Sequence, residues 1–426
     1  MNNNILIINA RIFDATGAEP FQGEVLIDGN RIAQVRRGSS GATSASAGQV
    51  IDAAGAFLMP GMTEAHTHFS WNDQPSLAAI AMMPPEEHIL WSVRLAKRYL
   101  DMGWTSCVGA AAAKPRLDVV VREAINKGDF PGPRYLAASQ EITVQGGLAD
   151  EAPPHLPFPE LSFGAVVSGP EEMRRCVRQF LRHGVDSIKL NLSGEYIAGI
   201  PAEATPFSDE EIAMAVREAK RAGKRVAAHA RSAESLKQCV RHGIEVIYHG
   251  SFADEEALDM LQANQDKHFF APGLAWLIRT SYNAGEYGIT TEVAEKMGYL
   301  RELEAAIETL KKMYRRGMKI LPGGDYGFAW MPHGTNAMDL EYFVKYIGMS
   351  TMDTLLAATR EGGRMMMRPH ELGQIRPGFL ADLLLVDGDP LTDITVLQKQ
   401  DRLLAVMLDG KFHKAPVVAD ARAHYR

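Results

Sequence analysis

The chain has 426 residues, 46% hydrophobic and 23% charged, the composition of an ordinary globular protein with ample material for a core. A formal charge of −7, from 45 basic and 52 acidic residues, argues against a nucleic-acid or anionic-membrane surface, and no basic stripe reverses that. No apolar run reaches the ~18–20 residues of a membrane span, and MNNNILIINARIFD lacks the cationic-then-apolar order of a signal peptide.

Cys107, Cys176 and Cys239 lie far apart without a CxxC pair, so buried thiols in a reducing cytoplasm are expected. Residues 4–37 read as short alternating strands, ILIINARIFD and GEVLIDGNRIAQVRRG, with DGN suited to a hairpin turn. The small, polar stretch 38-GSSGATSASAGQ-49 reads as a flexible loop. A further strand, VIDAAGAFLMPG, follows it.

From about residue 60, apolar runs alternate with helical segments. Strands are predicted at 57–68, 104–110, 134–143, 187–194, 225–230, 245–250, 268–274 and 319–325. Helices are predicted at 86–102, 170–184 and 208–223. The last has Ser208 as N-cap, Glu211 as its capping-box partner and Gly223 as its stop. Eight strands separated by helices over roughly 300 residues fit a (β/α)8 TIM-like barrel, with an open doubly wound sheet as the alternative. After the helix-rich stretch 351–368 the strand pattern returns at 382–389 and 402–412. The two chain ends therefore look alike, and the economical reading is one small β domain (1–59 and 369–426) with the barrel (60–368) inserted.

Side chains at the C-terminal ends of barrel strands converge on one mouth. The first strand ends in 64-EAHTHFSW-71, where period-2 alternation sends His66 and His68 to one face. The fourth strand carries Lys189, the fifth His229, the sixth His249 and the eighth Asp325. An HxH pair alone is a weak signal, since histidines are commonly solvated or hydrogen-bonded. Here, however, four of the 13 histidines share the register of strand ends. The other nine are expected in packing or surface roles, His333 excepted. A protonated lysine would repel a cation beside these imidazoles, but burial favours the neutral amine. A neutral amine can add carbon dioxide with loss of a proton, and the resulting carbamate is an anionic oxygen donor.

At these residues the chain resembles the amidohydrolase superfamily over nearly its whole length. The matching segments are PGMTEAHTH, SIKLNLSG, AAHARS, VIYHG, LPGGD, the tail 373-GQIRPGFLADLLLVDGDPLTDI-394 and 409-DGK-411. The branch including imidazolonepropionase, metal-dependent Xaa-Pro and Xaa-Arg dipeptidases, and ochratoxin and phenylurea amidases is the most similar, supported by 333-HGTNAMDLEYFVKYIGMS-350. Two departures stand out: 64-EAH-66 where relatives commonly show Asp-Ala-His, and Tyr326 after the aspartate. The resemblance implies a distorted barrel with a small β-sandwich domain. It implies two divalent ions, one on His66, His68 and Asp325 and the other on His229 and His249, bridged by carboxylated Lys189. Zinc is the default for such donors; manganese or iron would also fit.

Such a centre implies hydroxide attack, with Asp325 passing a proton to the leaving nitrogen. The expected reaction is hydrolysis of an amide-type C–N bond in an N-acyl amino acid, dipeptide, anilide, urea or carbamate. A deaminase or cyclic-amide hydrolase is the alternative, and a non-catalytic scaffold the third reading. Phe69, Trp71, Trp276, Tyr326, Phe328 and Trp330 suggest a small apolar or aromatic substrate, each against the plainer reading of loop packing. Arg279 and His333 are candidate anchors for a substrate carboxylate or carbonyl. Self-association is expected of a barrel this size.

Overall fold

The computed structural model describes residues 4–38, 48–153, 155 and 162–416. The chain divides into two compact units. One gathers Met1–Thr63, Arg98–Ser106 and Ser350–Arg426; the other holds Glu64–Lys97 and Cys107–Met349.

In the first unit, strands from both chain ends share an eight-stranded sheet. Phe57–Pro60 is the junction: it pairs parallel with Ile5–Ile12 and antiparallel with Leu383–Val386. Alternation buries Val25, Ile27, Leu58, Leu383 and Leu385 in one core, as period-2 strands with one covered face require. The predicted DGN hairpin joins Phe21–Asp28 to Arg31–Arg37 with Asp28 opposite Arg31. Its first turn residue, Gly29, takes a φ of 60°, which a side chain would resist.

The remaining strands form two sheets. Met62–Thr67, Trp104–Gly109 and Arg134–Leu136 make the first. The second is wholly parallel and runs Ala165–Val167, Ala138–Val144, Ser187–Asn191, Arg225–Ala230, Val246–His249, Phe269–Ala271. Ala138–Val144 lies between Ala165–Val167 and Ser187–Asn191, and from Ser187–Asn191 onward each strand lies beside its successor in the chain. Its central strands are buried at every residue, as expected of a parallel sheet covered on both faces.

The predicted caps are present. Ser208 and Glu211 exchange both capping-box hydrogen bonds at the start of Asp209–Arg221, and Gly223 turns with a φ of 66°. Pro170–His183 begins with proline in its first turn and ends at Gly184, at a φ of 93°.

Several elements differ from expectation. The eighth strand is reduced to an isolated bridge between Ile320 and Phe270, because Pro322 has no N–H for a ladder. The stretch 134–143 divides into two strands at Ala137, one in each sheet. The helix over 351–368 is interrupted by a π turn at Ala357–Glu361. Unpredicted helices at Leu274–Asn283, Thr291–Met297 and Tyr299–Arg315 separate the seventh and eighth strand positions. Most of the loop expected at 38–49 lies outside the described residues, as does His424. All three cysteines are free, but Cys176 is partly exposed rather than buried. Among the described residues, no helix is long and apolar enough to cross a membrane.

Candidate metal centre

His66, His68, Lys189, His229, His249 and Asp325 all line one cavity. His66 and His68 leave the same face at the end of Met62–Thr67, and are 1% and 0% exposed. Lys189 lies within Ser187–Asn191, while His229 and His249 lie at the ends of their strands. The Nε2 atoms of His66 and His68 stand 3.4 and 3.1 Å from Oδ1 of Asp325. One donor atom from each of these three residues falls within 4.8 Å of the others. The His229 and His249 rings are 4.3 Å apart, and His249 is 5.3 Å from the His66 ring. Lys189 Nζ lies 3.7 Å from Oε1 of Glu141 and 4.6 Å from the Tyr248 ring centre.

The backbone bends sharply to achieve this. His249 and Asp325 both adopt positive φ, 76° and 67°, a region that histidine and aspartate tolerate better than most residues but still at a cost. Gly323 admits close approach: a Cβ there would stand 2.7 Å from that of His66. Its N–H donates to Oδ2 of buried Asp339 at 2.8 Å. Glu64 accepts from Thr67 Oγ1 and, at 3.2 Å, from the His66 N–H. Burial pushes Glu64 up to about 8, despite those bonds.

The donor set fits divalent ions. Carbonyl oxygens cannot donate, so the ring nitrogens facing them carry the protons. Nδ1–H of His68 donates to Ala111 O at 3.0 Å, and Nε2–H of His229 donates to Gly194 O at 3.0 Å. Each ring is thereby left with one lone-pair nitrogen while the other is held by a carbonyl, the arrangement typical of metal-binding histidine. Nδ1 of His66, Nε2 of His68, Nδ1 of His249 and Oδ1 of Asp325 are buried without a hydrogen-bond partner. Orphaned buried polar atoms are costly and rare in native proteins, and Nε2 of His68 and Oδ1 of Asp325, 3.1 Å apart, call for a shared partner. Burial drives His66, His229 and His249 well below the usual imidazole range. Burial opposes ionisation of Asp325, but His66 and His68 hold its carboxyl below the usual range. Burial also lowers Lys189, against the pull of Glu141 and Asp325. The lowered imidazoles and the lowered carboxyl of Asp325 favour the neutral and anionic forms that metal binding demands.

Of the substrate-contact candidates, Trp71, Trp276 and Phe328 line the cavity. Trp71 stacks on His68 at 3.5 Å between ring centres, and Trp276 packs on Phe328 at 4.5 Å. Phe69, Tyr326 and Trp330 are buried but do not line it. Phe69 packs on Tyr135, Tyr326 reaches Asn336 O, and Trp330 donates to Thr280. The proposed anchors are engaged elsewhere. Arg279 donates twice to Trp330 O, at 3.1 and 2.9 Å. His333 is fully buried and its Nε2–H donates to Trp71 O at 2.9 Å.

Sequence reasoning passed over Glu141 and Glu195, both on the cavity wall. Glu141 sits in Ala138–Val144 beside Lys189 in register, so alternation along that strand was the available signal. Burial, countered by Arg231, pushes Glu195 up to about 7. Glu234, five residues after His229, is exposed on Ala233–His242 and pairs with Arg241 instead of facing the cavity.

Residues 57–412 match the Amidohydrolase family, and the chain belongs to it. It is a hydrolase acting on carbon–nitrogen bonds. The Aspergillus niger ochratoxinase is 26% identical over 383 residues, spanning 84% of this chain and 76% of that protein. A Xaa-Pro dipeptidase structure with methionine bound in its active site is similar with a TM-score of 0.82 and 28% identity, over 97% of this chain and 100% of that one. A prolidase complexed with N-methylphosphonate-L-proline gives a TM-score of 0.86 at 25% identity, with the same coverage.

Proposed function

We propose that the chain is a metal-dependent amidohydrolase cleaving an amide-type C–N bond in a small apolar or aromatic substrate. The substrate class spans N-acyl amino acids, dipeptides, anilides, ureas and carbamates. The observation that carries this reading is the buried donor group of His66, His68 and Asp325 on one cavity with an aromatic wall. The dipeptidase among its relatives agrees with the bond class. The parallel sheets are read as staves of a distorted (β/α)8 barrel over 60–368, with the terminal sheet as its β-sandwich companion.

His66, His68 and Asp325 would hold one divalent ion, and His229 and His249 a second, with carboxylated Lys189 shared between them. Zinc suits these donors best, and manganese or iron also fit. When bound, such ions supply the Lewis acidity that activates water and polarises the scissile carbonyl. Asp325, kept anionic by its histidine neighbours, accepts the proton of the attacking water and delivers it to the leaving nitrogen. Amide cleavage needs that delivery, because an amide anion is a very poor leaving group. Trp71, Trp276 and Phe328 bind the apolar part of the substrate and exclude water.

Metal content of the purified protein, with a hydrolysis screen over the five substrate classes, tests this reading. Two ions per chain with amide cleavage is the expected result. One ion with deamination would favour the deaminase alternative, and no metal and no turnover the scaffold.

A further inference from the structure

The cavity borders a buried ionic network with no part in the proton transfers above. Arg231 lies two residues beyond His229 and is fully buried. Its Nη2 pairs with Oε2 of Glu195, and its Nη1 donates to Oε1 of Glu302 at 2.6 Å. The same Glu302 oxygen accepts from Ser251 Oγ at 2.7 Å, and Tyr299 OH donates to Oε1 of Glu195 at 2.8 Å. One guanidinium thus ties the segment after Ser187–Asn191 to Tyr299–Arg315, where both Tyr299 and Glu302 reside. Removing a partner from such a network leaves a buried charge uncompensated, so its geometry is strongly held.

The tied segment touches His229 directly. Arg231 N–H donates to Ser193 Oγ at 2.8 Å, Leu192 N–H donates to His229 O at 2.9 Å, and Gly194 O accepts the His229 Nε2–H. Gly194 has little room of its own: a Cβ there would stand 2.1 Å from Pro201 O. Residues 193–195 therefore sit between Pro201 on one side and the Arg231 clamp on the other.

We propose that Arg231 is the positioning residue for His229: by clamping Glu195 and Glu302 it fixes the Gly194 carbonyl, which selects the His229 tautomer with a lone pair on Nδ1. The inference rests on the reading of His229 as a ligand of the second ion. A lysine is a single point donor and cannot span both carboxylates as the planar fork does. Arg231→Lys should thus loosen residues 193–195 while conserving charge.

Two measurements test this, with Arg225→Lys as control, because Arg225 is also buried and paired, to Glu245. In metal titration, Arg231→Lys should weaken the second ion about ten- to hundredfold, the usual effect of losing an outer support, and leave the first ion in place. Arg225→Lys should keep both. In the metal-free protein, 15N NMR of His229 should show one Nε2–H tautomer in the wild type and a mixture in Arg231→Lys. If Arg231→Lys fails to fold, Glu195→Gln, which keeps shape and loses the ion pair, should show the same two changes. Wild-type tautomer and second-ion affinity in the folded variant, or equal losses in Arg225→Lys, would overturn the proposal. If the wild type binds no second ion yet the tautomer responds as expected, the metal reading fails and the positioning role stands.

Discussion

Replacing Gly323 by alanine probes the tightest point of the candidate centre. An added Cβ would lie 2.7 Å from His66 Cβ, 2.8 Å from Ala271 Cβ and 3.0 Å from the His66 backbone nitrogen. Carbon pairs rest at about 3.5–4.0 Å, so the methyl lacks roughly 1 Å on two sides. No side-chain rotation relieves this, because the neighbours are Cβ and backbone atoms. The end of Met62–Thr67 must move, and overpacking of this kind costs about 1–3 kcal/mol. Movement of His66 also separates it from His68 and Asp325, and a site loosened by about 1 Å binds its ligand poorly. Urea denaturation of the metal-free protein and metal titration report the two effects. Gly285→Ala is the control, since nothing lies within 4 Å of its Cβ position and its φ is not positive; it should change stability by under about 0.5 kcal/mol. Wild-type stability and metal affinity in Gly323→Ala would refute the reasoning.

Asp339 gives a pH test. Burial, with Asp325 adding to it, pushes its carboxyl up to about 7 from 3.8. A group raised on folding contributes stability that is complete below its unfolded value and lost as pH rises through its folded value. Wild-type stability relative to Asp339→Asn should therefore fall between about pH 4 and 7 and level off above, by at most about 4 kcal/mol; a difference independent of pH would show that the carboxyl is not raised. Lys189→Ala should abolish hydrolysis while cooperative unfolding persists, and a fully active variant would remove lysine from the centre. Trp71→Ala strips the ring stacked on His68; it should cost about 3–5 kcal/mol of stability and raise KM for an aryl substrate about tenfold, or roughly 1.4 kcal/mol. An unchanged KM would place the substrate elsewhere.

The residues of the centre were legible because their signals are local. Alternation in 64-EAHTHFSW-71 sets His66 and His68 on one face, and the strand ends at His229 and His249 follow from apolar runs, the second closed by Gly250. The capping box of Ser208 and Glu211 was equally local. The aromatic loops were not. Within 326-YGFAW-330 only Phe328 lines the cavity, because Gly327 takes a φ of 128° and lies against Trp71 and His333. Periodicity has no rule for such a turn.

The amino-acid order alone determined which donor types stand at strand ends, and hence the chemistry open to them. Only the tertiary structure decided which nitrogen of each ring is free and which candidate anchors are already spent. Arg279 is taken by a carbonyl 51 residues away and His333 by one 262 residues away. Arg231 finds Glu302 across 71 residues. Such partners meet only when strands and helices pack, because a hydrogen bond depends on distance in space and leaves no trace in spacing along the chain.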